Sequence, residues 1–379
     1  MRTERNAESA DVAGATRRPF DRSLNLVGLT LHPRLKGCTR KIMANSNVGA
    51  TAKIVRFHEC GGPEVLKLEE VPTPEPGKGE VRLRVEAIGL NRAEVLFRQG
   101  KYVVRSNPPC TLGYEAAGVV EAVGDGVDKK LLGKRFSTVP SFAADKYGVY
   151  GEVAIVPAYS LAAYPGKLSP QEGTSIWMQY LTAYGPLVHL GKITKGDFVL
   201  ITAASSSVGV AAIEIAKVEG AVSIATTRTS KKKAELLSLG ADHVIATQEE
   251  DLVKRVGEIT GGKGARVVFD PIGGKGVELL CQAAAQYGTI YEYGSLAMEP
   301  TPFPLLITLP KGLSMRGYSI FEVVSMPALR AQAEKYVFEH IEKGNFKPRI
   351  AKTFPLSQIA EAHRYMESNE HVGKIVVTV

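Results

Sequence analysis

Between Phe198 and Tyr293 the chain alternates between short apolar runs and amphipathic stretches, and that rhythm admits very few architectures. Phe198–Ala204 is an almost unbroken apolar run, and Val222–Thr227, His243–Ala246, Arg266–Asp270 and Thr289–Tyr293 follow it. After the first run, Val208, Ala211, Ala212, Ile215 and Ala216 recur at helical spacing. The next helix is expected to be capped by Ser230 and stopped by Gly240; others fall at Glu249–Thr260 and Lys275–Gln286. Strands that are apolar on both sides, each followed by a helix, predict a parallel sheet covered on both faces. The expectation is a doubly wound α/β unit over residues 176–318.

The flanks read differently. Residues 51–175 carry short strands at Ala52–Phe57, Val81–Ala87, Gly118–Val123, Lys134–Val139 and Gly151–Val156, separated by Pro- and Gly-rich turns, so a second, β-rich unit is expected there. Residues 319–379 offer helices at Met326–Lys343 and Leu356–Ser368 and an apolar strand at Lys374–Val379. With no long linker before them, they are expected to return and complete the β-rich unit. Residues 1–50 lack a hydrophobic period and are expected to be a disordered leader. Met43 could open a shorter product, and a transit peptide is the other reading.

Charge separates the leader from the body. The net charge is +8, but residues 1–42 hold nine Lys/Arg against four Asp/Glu, so the body is nearly neutral. A body without a clustered basic face argues against nucleic-acid binding. No apolar run approaches a bilayer span, which argues against a membrane protein. The four cysteines are scattered with no CxxC pair, pointing to reduced thiols and a cytoplasmic setting.

Chemistry concentrates at the first strand-to-helix turn, Ala204-Ser205-Ser206-Ser207-Val208-Gly209. It lacks the usual GxGxxG, yet small side chains there let a backbone approach a pyrophosphate. The N–H groups opening the helix point at such an anion, and Gly209 allows close helix–strand packing. A purely structural turn is the alternative. A dinucleotide fold that prefers NAD places an acid about 20 residues on. Here Arg228 stands 19 residues past Gly209, in Thr226-Thr-Arg-Thr-Ser-Lys-Lys-Lys233, with no acid. Arg228, Lys232 and the hydroxyl of Thr227 or Ser230 suit a 2′-phosphate, hence NADPH. The other reading of the same residues is a solvated basic helix start.

Several stretches together resemble the zinc-independent medium-chain dehydrogenase/reductase superfamily, in its quinone oxidoreductase (zeta-crystallin-like) and enoyl reductase branch. They are Gly61-Gly-Pro-Glu-Val-Leu66, Asn91-Arg-Ala-Glu94, Arg98-Gln-Gly-Lys-Tyr102, Gly113-Tyr-Glu-Ala-Ala-Gly118, Leu181-Thr-Ala-Tyr184, Ala203–Gly209, Asp270-Pro-Ile-Gly-Gly274 and Gly373-Lys-Ile-Val376. The resemblance implies a Rossmann domain and a GroES-like catalytic domain with the cofactor in their cleft, and a homodimer paired through the segment around Thr289–Ser319. It implies no metal. Zinc-dependent relatives have Cys where Asn91 stands and Gly-His-Glu where Gly113-Tyr114-Glu115 stands, and two neutral replacements leave no tetrahedral N/S site. His58, His189, His243, His340, His363 and His371 show no ligand spacing.

Carried over residue by residue, the resemblance makes Tyr102 the proton donor and places Asn91 beside the nicotinamide; an aromatic pocket wall is the other reading of Tyr102. It puts Thr182, Ser205, Ser206, Ser207, Val208, Gly209, Asp270, Gly294, Ser295 and Lys374 on the cofactor. Glu94 replaces the family's Asp, which leaves the rigidity of that loop open. Thr247 stands where some relatives stack a tyrosine on the adenine. Arg98 reads as structural or surface. The expected activity is NADPH-dependent hydride transfer to a quinone or an activated C=C. An enoyl-thioester reductase is the enzymatic alternative. An NADPH-binding protein of little turnover, some of which bind nucleic acid, is the alternative of another class.

Overall fold

The computed structural model describes residues 50–379; the expected leader and the start at Met43 fall outside them. A six-stranded sheet has all neighbours parallel. Its spatial order is His243–Ala246, Val222–Thr227, Phe198–Ile201, Ala265–Asp270, Ala284–Glu292 and Ser314–Gly317. Chain order reverses at Phe198–Ile201, the point beyond which doubly wound sheets place their ligands. Val199, Leu200 and Ile201 are fully buried, as a strand with helices on both faces requires.

The second sheet has seven strands. Glu80–Gly89 lies at its centre, antiparallel to Glu115–Val123 and to Val153–Pro157. The chain's last strand, Lys374–Thr378, pairs antiparallel with Glu80–Gly89, and Ile350–Pro355 runs parallel beside it. The C-terminal segment is therefore built into the β-rich sheet. A separate hairpin pairs Thr51–Arg56 with Lys67–Pro72.

Several boundaries differ from expectation for local reasons. The first parallel strand ends at Ile201, because Ala203 adopts φ +44 and turns the chain toward the helix. The helix expected over Lys275–Gln286 stops at Ala283, where Ala284 already pairs with Ala265. Ser230 is not the cap: Thr229 precedes a short 3₁₀ turn, and Ser230 spends its N–H and hydroxyl on Glu249. The helix expected from Glu249 begins at Leu252, where Asp251 caps it by accepting from Lys254 N–H.

Candidate active site

The phosphate-type turn has the geometry its residues predict. Ser206 is the N-cap of the helix Ser207–Val218 and accepts from Gly209 N–H at 3.1 Å. A Cβ at Gly209 would lie 2.5 Å from Ala204 Cα, so only glycine lets the helix pack this closely on the strand. Behind the turn, Thr202 donates to Asp270, whose other oxygen accepts from Gly273 N–H at 2.7 Å. A cavity of about 500 Å³ opens at the carboxyl ends of these strands. Thr202, Thr226, Thr247, Asp270, Ile272 and Leu279 line it. Arg228 is exposed at the end of its strand, and Thr227 is half-buried before it.

The segment after Ser368 ties this turn to the β-rich sheet. Lys232 Nζ donates to Ser205 Oγ at 3.1 Å, to Asn369 O at 2.7 Å and to His371 O at 2.8 Å. Gly373 N–H donates to Ser205 O. Arg92 reaches Met366 O at 3.0 Å and the Asn369 side chain. Lys232 thus has all three of its protons engaged by protein oxygens, where the sequence suggested a cofactor contact.

One residue further on lies a buried charged cluster. Lys374 Nζ sits 2.6 Å from Asn91 Oδ1 and 2.5 Å from Glu115 Oε2, and both charged side chains are 1% exposed. Glu115 also accepts from Met178 N–H at 2.8 Å, at the start of the helix Trp177–Tyr184 that carries buried Thr182. Gly89 makes room for the lysine, since a Cβ there would meet Lys374 Cε at 2.9 Å and Thr174 O at 2.2 Å.

Glu94 anchors the other side, and the loop is firmly held. It accepts from Asn91 N–H at 2.7 Å, Tyr114 N–H at 3.0 Å and Tyr150 Oη at 2.5 Å. With Asn91 as N-cap it forms a capping box, so the longer acid does what a rigid loop needs. Burial raises the Glu94 carboxyl above its usual range, opposed first by the Tyr150 hydroxyl. Since every partner is a donor, the arrangement fits the ionised form.

Behind it, Arg98 donates to His363 Nδ1 at 2.8 Å, which leaves Nε2 to donate to Tyr150 Oη at 3.2 Å. Burial, then Arg98 and Arg92, push His363 down to about 3 and keep it neutral. Arg98 is fully buried and structural, also binding Gly61 O and Glu367.

Tyr102 lies in the loop after Gly100, half-buried. Its hydroxyl is raised by burial, lowered by Tyr114 and raised by Glu94. Gly294 and Ser295 are exposed just beyond the strand Ala284–Glu292. Sequence reasoning missed Glu292 and Tyr293 beside them. Both Glu292 oxygens and the Tyr293 hydroxyl are buried without a hydrogen-bond partner. Tyr293 stacks on Phe269 at 4.0 Å. Burial, then the Asp270 carboxylate, hold Glu292 well above the usual carboxylate range. The only signal was their position immediately before Gly294. Among the described residues, no group of three or more His, Cys, Asp or Glu is placed to hold a metal ion.

Comparison with known proteins fits this geometry. Residues 77–166 match the family model described as alcohol dehydrogenase GroES-like domain, and residues 239–377 match the one described as zinc-binding dehydrogenase. A 2-haloacrylate reductase from Burkholderia sp. is 34% identical over 334 residues, covering 85% of this chain and 97% of the relative. The chain belongs to the medium-chain dehydrogenase/reductase superfamily, in its quinone oxidoreductase and enoyl reductase branch.

Solved members of the superfamily share the fold. The Escherichia coli quinone oxidoreductase complexed with NADPH superposes with a TM-score of 0.79 at 31% identity, over 86% of this chain and all of that one. The CurK enoyl reductase gives 0.76 at 28% identity, over 86% of this chain and all of that one. As in the rest of this branch, function must be argued from the site rather than from the fold alone.

Proposed function

We propose that this protein is an NADPH-dependent reductase that adds hydride to a quinone or an activated C=C without a metal. The observation that carries the reading is the cluster at Asn91, Glu115 and Lys374. Where a metal-dependent relative needs ligands, this chain has an amide and a tyrosine, and a buried ammonium neutralises the remaining glutamate. Such a site has no ligand set for a Lewis acid, so it suits an acceptor that is already electrophilic.

The residues fit a dinucleotide. The cradle at Ala203–Gly209 would hold the pyrophosphate, the cavity under Thr226 and Thr247 the adenosine, and Arg228 the 2′-phosphate. Thr182, Asn91, Gly294 and Ser295 would border the nicotinamide. When bound, NADPH supplies the hydride. Tyr102, kept protonated by burial, would donate its proton to the oxygen that gains charge and regain one from water. The test is NADPH oxidation at 340 nm with EDTA present, against a quinone, a simple enone and an enoyl thioester. Turnover that survives chelation supports the reading, and the best acceptor selects the substrate class. NADPH binding without turnover on all three would sink it.

Two further outcomes are expected. Burial and the Asp270 carboxylate raise the Glu292 carboxyl well above the usual range, so its contribution to stability is present at acid pH and falls as pH rises past 4.5, the value of a free carboxyl. Glu292→Gln should therefore flatten the pH dependence of Tm on the alkaline side, read by thermal unfolding from acid to alkaline pH. The reading also includes a homodimer. Phe303, Leu306 (88% exposed) and Leu309 (72% exposed) are exposed apolar residues that precede the edge strand Ser314–Gly317 in the chain. Leu306→Asp with Leu309→Asp should give a monomer by size-exclusion chromatography with light scattering.

A further inference from the structure

His363 is a fully buried imidazole, on the helix Ile359–Ser368, that the proposed chemistry leaves unused. Its two ring nitrogens have different neighbours, and these fix its proton. Arg98 can only donate, so Nδ1, 2.8 Å from the guanidinium, must accept. Nε2 then carries the hydrogen and donates to Tyr150 Oη at 3.2 Å. The Tyr150 hydroxyl donates onward to Glu94 Oε2 at 2.5 Å. Every bond in the series runs one way, from a cation that only donates to a carboxylate that only accepts. Bonds arranged head to tail polarise and strengthen one another.

The series starts and ends on one helix. Arg98 closes the helix Arg92–Arg98, and Glu94 sits in its first turn, where it accepts from Asn91 N–H at 2.7 Å. The circuit leaves one end of that helix, passes through His363 and Tyr150 on two other segments, and returns to the other end. Tyr102 hangs directly from this helix. Gln99 N–H donates to Val95 O at 3.0 Å, Gly100 N–H to Phe97 O at 3.0 Å and Lys101 N–H to Leu96 O at 2.8 Å. The chain is thus hydrogen-bonded to the helix up to the residue before Tyr102, and a tilt or slide of the helix carries Tyr102 with it.

We propose that His363 is a positioning residue for Tyr102: it passes one directed hydrogen bond from Arg98 to Tyr150, and so closes the circuit that clamps both ends of the helix from which Tyr102 hangs. The proposal rests on the reading of Tyr102 as proton donor. A reacting group misplaced by about 1 Å costs up to ~100-fold in rate, so a clamp remote from the chemistry bears on kcat. Burial, then Arg98 and Arg92, keep the imidazole neutral, which suits a group that relays a hydrogen bond without titrating.

The test has two readouts. The first needs no turnover: ¹⁵N NMR of the histidines in the full chain, with the His363 signals assigned by their loss in His363→Gln. A neutral ring protonated on Nε2, unchanged from pH 6 to pH 8, is expected; a proton on Nδ1, or a charged ring, would overturn the proposal. The second is kinetic. His363→Leu should lower kcat about tenfold, while NADPH affinity holds, because the phosphate turn lies on the other sheet. His363→Gln should recover most of the loss, since its carbonyl can accept from Arg98 and its amide can donate to Tyr150. Combining His363→Leu with Tyr102→Phe should be no slower than Tyr102→Phe alone. Equal losses for Leu and Gln, or losses that multiply with Tyr102→Phe, would show that His363 only packs. If His363→Leu does not fold, the wild-type ring and His363→Gln still decide. If wild type reduces no acceptor, the reductase reading fails on its own, and the ¹⁵N signals still decide the circuit.

Discussion

Lys374→Met is expected to be the most damaging single change in the described chain, lowering stability by about 3–5 kcal/mol. The pair it breaks has both partners 1% exposed. A buried ion pair adds little net stability, because desolvation offsets the attraction; removing one partner leaves the other charged, buried and unpaired. Glu115 would keep Met178 N–H and a 3.2 Å bond from Asn91 Nδ2, too few to replace an ammonium. Asn91 would lose the donor that fixes its amide oxygen. Activity should therefore fall along with Tm. Glu115→Gln in the Lys374→Met background should recover part of the stability, since it removes the stranded charge. Thermal unfolding of the two single variants and the double gives the coupling, and additive losses would show that the pair is not the unit.

Arg228→Ala should weaken NADPH about 10–100-fold and leave NADH within about twofold, the worth of one or two charge-assisted hydrogen bonds. The guanidinium is exposed at the carboxyl end of its strand, where the strand order places the adenosine side. Because the site is open to solvent, the NADPH advantage should shrink as salt rises. Binding titrations of both cofactors at low and high salt check this, and equal losses for NADPH and NADH would remove Arg228 from the 2′-phosphate.

Much of the architecture was legible because its signals are local. Apolar runs buried on both faces give the parallel sheet, and small residues at Ala203–Gly209 give its turn. Helix starts were less legible. Ser230 has a capping side chain, but Glu249 on a neighbouring loop claims it. Glu94 looked like a weak substitute for aspartate, because nothing nearby in sequence announces that Tyr150 and Tyr114 supply donors to it. Lys232 looked free to meet a phosphate, yet the carbonyls that engage it lie 137 and 139 residues away.

The sequence by itself determined which segments are strands and in what order they come, which are properties of periodicity and residue type; that Asn91 and Tyr114 stand where zinc-dependent relatives carry Cys and His is what the family resemblance implies. Only the tertiary structure decided the charge balance of the site, because Lys374 meets Asn91 across 283 residues and Glu115 across 259. A buried charge is tolerated only where an opposite charge and enough donors converge on it, and that convergence is set by how the last strand returns to the seven-stranded sheet.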